Sequence, residues 1–247
     1  MIDLIPLAAV GEVGKDFLKD RSSDTLPCQA DSSEIFCFDW ARENIDRYGT
    51  PTVQHFELVV ISVLIGFVIA FALALFAHRQ SWLRPVLLVG TGILYTIPSI
   101  AFFLLLLPIT GIGRDTAIIA LAAFTLQIIY RNILLGLANV PSSAKEAARG
   151  MGYTDRQILW KVELPLAIPE IVAGLRVAIV STVAIATLAV FIGGGGLGTQ
   201  IYGGGNLTFP TSILIAAAIV ISMGMALHVV LLGAQRLLTP WQRAKTS

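Results

Sequence analysis

Five stretches of this chain, 58–77, 86–107, 116–135, 167–192 and 211–235, are long and apolar enough to cross a lipid bilayer as helices, a crossing that takes about 20 residues. The first opens on Leu58-Val59-Val60-Ile61 and reaches His78 without a charge, and the second runs from Val86 to Leu107 without one. Arg131 interrupts the third near its end, and Glu170 and Arg176 lie within the fourth, so the edges of those two are soft. Backbone polar groups have no water to bond in hydrocarbon, which leaves helices as the natural spanning element here. The expected fold is an all-α membrane protein with about five transmembrane helices.

Composition supports that reading. Of 247 residues, 55% are hydrophobic and 13% charged, where an ordinary soluble domain carries about 25% charged residues. Mean hydropathy is +0.79. A typical cytosolic enzyme is excluded. Residues 1–56 hold ten acids and five bases, and the remaining 191 residues hold six acids and twelve bases. No basic stripe suited to nucleic acid stands out.

Lys and Arg beside the spans set an orientation. Arg79 and Arg84 follow the first span; Lys145, Arg149, Arg156 and Lys161 lie between the third and fourth; Arg236, Arg243 and Lys245 follow the fifth. The alternate loops, 108–115 and 193–210, hold only Arg114. This predicts an N terminus outside and a C terminus in the cytoplasm. The segments become an acidic extracytoplasmic extension over 1–56, a transmembrane domain over 57–238 with a cytoplasmic loop at 137–165, and a cytoplasmic tail over 239–247. The run Leu4 to Val10 has Asp3 before it and no basic flank, so it does not read as a signal peptide. Both cysteines, Cys28 and Cys37, fall in the extension, where a disulfide or two unpaired thiols are equally open. Trp40 to Gly49 reads as a surface helix leading into the membrane, with Trp40 and Tyr48 near the headgroups.

The loop between the third and fourth spans carries the strongest pattern. Asn139-Val140-Pro141-Ser142-Ser143-Ala144-Lys145-Glu146-Ala147-Ala148-Arg149-Gly150-Met151-Gly152 is followed by Tyr153-Thr154-Asp155-Arg156-Gln157-Ile158-Leu159-Trp160-Lys161-Val162-Glu163-Leu164-Pro165. It reads as two short helices parted at Gly150 and Gly152 and stopped by Pro165. Ser143 with Glu146, and Thr154 with Gln157, match the capping-box spacing. Glu146 on this reading is a local cap at the positive end of a helix dipole.

A wider spacing gives Glu146 a second reading. Glu146-Ala147-Ala148, Gly152, Val162, Leu164 and Pro165 resemble the signature of ABC importer permeases, with valine where isoleucine is more usual. Thr96-Ile97-Pro98-Ser99, Gly111-Ile112-Gly113, Arg131-Asn132, Gly174-Leu175-Arg176 and Gly195-Gly196-Leu197-Gly198 resemble the osmoprotectant branch (glycine betaine, carnitine, choline), over roughly 57–238. The acidic extension and Gly203-Gly204-Gly205-Asn206 depart from that branch. The resemblance implies a type I permease fold with a cytoplasmic coupling helix, and a coupling role for Glu146, Ala147, Ala148 and Gly152. It also implies an ATP-binding ABC subunit that carries ATP and Mg, a second permease subunit (identical or related), and an extracytoplasmic substrate-binding protein. This chain itself would hold no cofactor and catalyse nothing. Methionine, phosphonate or sulfonate is the alternative cargo.

Other motifs are weaker. Gly193 to Gly198 satisfies G-x-G-x-x-G but lies at the end of a span, so a turn or re-entrant segment is expected there instead of a nucleotide site. Gly14-Lys15 lacks the rest of a phosphate loop. His55, His78 and His228 show no metal-ligand spacing. Arg131 is placed to snorkel to the cytoplasm, and Arg176, after Glu170, reads as an interior structural residue. Pro98 predicts a kink, beside which Tyr95, Thr96 and Ser99 either line a path or satisfy freed carbonyls. A secondary transporter or channel would favour internal repeats and intramembrane acids, and five spans do not halve evenly. A membrane enzyme would need a catalytic cluster, and none is seen.

Overall fold

The computed structural model describes residues 36–206 and 209–240. Helix α1 (Phe38–Glu43) and a 3-10 turn (Ile45–Tyr48) lead into α2 (Gly49–Arg79). Then come α3 (Leu83–Thr96), α4 (Ser99–Thr110), α5 (Arg114–Ala138), α6 (Ser142–Gly150) and α7 (Asp155–Ile158). A π turn (Leu159–Glu163) continues into α8 (Leu164–Ala186), a 3-10 turn (Thr187–Ile192), α9 (Gly198–Asn206) and α10 (Pro210–Leu238). No strand occurs among the described residues. Among the described residues, four helices can span a membrane by length and composition, and the pair α3 and α4 makes a fifth if counted as one broken span.

That pair is where the second apolar run departs from a continuous helix. The chain turns through 99° between α3 and α4. Proline has no N–H to donate and pushes the preceding residue out of helical geometry. Ile97 accordingly sits at φ −66°, ψ 128°. Thr96 Oγ1 donates to the Ile93 carbonyl at 2.7 Å, so this hydroxyl serves a backbone group left over by the break.

Contacts divide the chain into two units. One comprises the described parts of 1–59, 99–120 and 183–223. In it Trp40 meets Phe209 edge to face at 4.7 Å, and the Cys37 N–H donates to Thr211 Oγ1 at 3.0 Å. Tyr48 donates to Ser212 Oγ at 3.2 Å. Trp40 and Tyr48 are therefore buried by protein, a correction to the headgroup position expected for them. Helix α2 begins at Gly49, well before residue 57, so the expected edge of the extension falls inside a helix. Cys28 lies outside the described residues. His55 Nε2 bonds the Val183 carbonyl at 3.0 Å, and the Gly196 N–H donates to Gln54 Oε1 at 3.2 Å. Gly193 to Gly198 form a turn between a 3-10 segment and a helix, not the strand-to-helix step of a dinucleotide site.

The other unit comprises 60–98, 121–182 and the described part of 224–247. Its core joins Ala70, Ala74 and Ala77 of α2 to Ile129, Tyr130 and Ile133 of α5 and to Leu164, Ala167 and Ile171 of α8. The alanines recur on one face of α2, and small residues let helices approach closely where lipid offers no hydrophobic advantage. Gly174 shows the tightest use of this: a Cβ there would overlap the Asn132 side chain. Two motifs singled out in the sequence, Arg131-Asn132 and Gly174-Leu175-Arg176, thus meet. Arg131 is exposed, whereas Arg176 is half-buried with its Nε unpartnered.

Candidate functional site

The loop from Val140 to Pro165 is built around α6. Pro141, at φ −56° and ψ 134°, occupies the N-cap, and no side chain caps the helix. Ser143 is consequently inside the first turn, two residues too late to cap. The expected Ser143–Glu146 box does not form, and Glu146 is exposed. It is the fifth of nine residues in α6, beyond the first turn where the helix dipole would favour a carboxylate.

The other end of α6 is sharply specified. The Gly152 N–H donates to the Arg149 carbonyl at 2.9 Å and the Tyr153 N–H to the Ala148 carbonyl at 3.0 Å. This pair of bonds is a Schellman motif, whose turning residue must be left-handed. Gly152 takes that role at φ +82°, and Gly150 is the last helical residue. Only the second of the two glycines makes the turn. Ala148 is buried while Glu146, Ala147 and Gly152 are exposed, so the four residues singled out divide between a packed face and an open one.

Thr154 then caps α7 as its sequence predicts. The Gln157 N–H donates to Thr154 Oγ1 at 3.3 Å, and the Thr154 N–H donates to Gln157 Oε1 at 2.9 Å. Pro165 does not stop the helix. The Leu164 N–H bonds the Leu159 carbonyl across the π turn, and α8 continues from Leu164 to Ala186. The widened turn lies where the proline removes a donor, so helix runs on through a residue that ordinarily breaks it.

Glu163, which the sequence reading left without a role, is the buried acid of this region. Its Oε2 lies 2.8 Å from His78 Nε2 and its Oε1 lies 3.1 Å from Lys145 Nζ. Arg84 holds the end of α2 by donating from Nε to the Ala77 carbonyl at 3.2 Å and from Nη2 to the His78 carbonyl at 3.0 Å. A cation at a helix C-terminus is favoured by the dipole as well as by these bonds. Nothing but distance in sequence hid this cluster: each member looks like an ordinary charge near a span end. Around it Trp160, Met151, Arg156 and Lys161 are exposed, with Lys161 Nζ 5.4 Å from the Tyr153 ring centroid. Among the described residues no group of three or more His, Cys, Asp or Glu side chains could hold a metal ion.

Residues 62–244 match the family described as binding-protein-dependent transport system inner membrane component. The choline transport system permease protein OpuBB of Bacillus subtilis (strain 168) is 35% identical over 189 residues, covering 76% of this chain and 87% of that protein. The glycine betaine/carnitine/choline transport system permease protein OpuCD of the same organism is 33% identical over 193 residues, 78% of this chain and 84% of that protein. A chain of the MetNI methionine ABC transporter in an inward-facing conformation superposes with TM-score 0.68 at 23% identity, covering 75% of this chain and 93% of that one. That last likeness shows the fold alone. The chain belongs to the family of binding-protein-dependent transport system inner membrane components, the permease subunits of type I ABC importers.

Proposed function

We propose that this chain is the permease of an importer for a small compatible solute of the quaternary ammonium class, such as choline, carnitine or glycine betaine. The observation that carries the mechanism is α6: a short helix with Glu146 and Ala147 exposed, Ala148 packed, and a fixed turn at Gly152. A separate ATPase binds ATP and Mg and docks on this exposed face. Its closure pulls α6, the spans rock, and the path opens outward to a loaded binding protein. The Lys and Arg distribution supports an N terminus outside and a C terminus in the cytoplasm. In the best apolar window of α10 only 22% of residues are buried, with Ile221, Met225 and Val229 exposed at helical spacing. Lipid and a second permease subunit would cover that face. The names of the relatives support the solute class; a methionine-type cargo rests on likeness of fold alone.

The test is to tag the C terminus, extract the chain in mild detergent and identify by mass what co-purifies. An ATPase with a phosphate loop is expected, together with a binding protein that retains choline, carnitine or glycine betaine in titration and ignores methionine. No ATPase after cross-linking would refute the reading.

A further inference from the structure

Glu163 stands where four segments meet, with its side chain only 7% exposed. It divides its two oxygens between His78 at the end of α2 and Lys145 on α6, while belonging itself to the turn that starts α8. Arg84 extends the set, with Nη2 3.5 Å from His78 Nδ1, and Tyr130 of α5 donates its hydroxyl to the Arg84 carbonyl at 3.4 Å. An arginine aimed at Nδ1 calls for a lone pair there, so His78 carries its proton on Nε2 and donates it to Glu163. Glu163 is the buried member, with His78 and Lys145 partly exposed beside it; removing either partner leaves a buried carboxylate less compensated, which is more costly than the same loss at the surface.

The cluster matters for what α6 can transmit. Its other ion pair, Arg149 Nη2 to Asp155 Oδ1 at 3.9 Å, is exposed and reaches only α7. Exposed pairs of that kind contribute little. Lys145–Glu163, in contrast, joins α6 directly to the root of α8 and, through His78, to the end of α2.

We propose that Glu163 is a positioning residue for coupling: it clamps α6 to the ends of α2 and α8 so that both spans receive the motion of α6 together. The proposal rests on the docking role given to α6 above. Without the clamp, α6 would rock locally and ATP would be spent with less solute moved.

The experiment uses the full complex, with its co-purified ATPase and binding protein, in proteoliposomes. Two quantities are read: ATP hydrolysed per labelled choline taken up, and amide hydrogen exchange of residues 142–150, which needs no solute. Glu163→Gln and Lys145→Met are expected to raise the ratio several-fold and to speed exchange in α6 at least tenfold, with the ATPase still bound. The charge-reversed pair K145E/E163K restores the link to α6 and is expected to recover at least half of the wild-type coupling. A wild-type ratio and wild-type exchange in Glu163→Gln would overturn the proposal. So would a parallel loss of uptake and hydrolysis that the reversed pair does not rescue. Glu146→Lys is run alongside: if it leaves the ATPase bound and uptake normal, the docking role of α6 fails on its own account, whatever Glu163 does.

Discussion

The side chain of Asn132 in α5 fills the space that any Cβ on Gly174 of α8 would need. Asn132 is itself held, its Nδ2 donating to the Ile128 carbonyl at 2.7 Å, so it does not simply swing aside. Gly174→Ala should therefore destabilise the chain by about 1–3 kcal/mol, the usual cost of overpacking, and Gly174→Leu by more. Thermal unfolding in detergent measures this. The pair N132G/G174A, which removes the Asn132 Cβ that the new methyl would meet, should recover part of the loss, since residues in contact do not act additively; a full additive loss would show that the contact is not the cause.

Gly152 has open space around its Cα but a backbone only glycine adopts cheaply. Gly152→Ala should cost about 1–2 kcal/mol locally and lower uptake a few-fold. Gly152→Pro also removes the N–H that bonds Arg149 and cannot reach positive φ. It should abolish uptake, as should Glu146→Lys, while both variants insert in the membrane at wild-type levels. Uptake assays beside membrane fractionation check this, and normal uptake by either variant refutes the coupling role.

Thr154→Val keeps the shape of the α7 cap and removes its acceptor. A loss of about 1 kcal/mol is expected, visible as a lower melting temperature and faster exchange at residues 155–158. Ser143→Ala should do almost nothing, because Pro141 is the N-cap of α6. Equal effects from the two substitutions would contradict the capping assigned here.

Cys37 is buried, and a disulfide to Cys28 is proposed for it. Alkylation of the denatured, unreduced chain should then label neither cysteine, and reduction should expose both, a difference read by mass. Labelling before reduction would refute the pairing.

The acids of residues 1–56 are proposed to dock the binding protein. Changing them to Asn or Gln should weaken its binding to the complex, most at low salt, where exposed charges are least screened. Unchanged docking and transport would dismiss this role.

What the sequence made legible follows from the range of the forces involved. Spans could be counted because a bilayer imposes length and apolarity residue by residue, and the Thr154 cap could be read because its partners are three residues apart. The same spacing at Ser143 and Glu146 misled, since the helix starts two residues earlier, behind Pro141, and a pattern does not say where a helix begins. Pro165 misled likewise: a π turn upstream absorbs the missing donor. The break at Pro98 was foreseeable, its sharpness less so. His78, Lys145 and Glu163 could not have been grouped, because their meeting depends on the packing of α2, α6 and α8, which no local spacing encodes.

The break between α3 and α4 has one more consequence. A helix that stops leaves carbonyls without intrahelical partners, and one that starts leaves N–H groups in the same condition. Here the Leu94 carbonyl takes the Ile97 N–H and the Ile93 carbonyl takes Thr96, so these closing carbonyls of α3 are met within the chain itself. Hydrocarbon offers no such partner. A break inside an apolar run is therefore stable in a membrane only where protein or water, and not lipid tails, meets whatever backbone groups it leaves open.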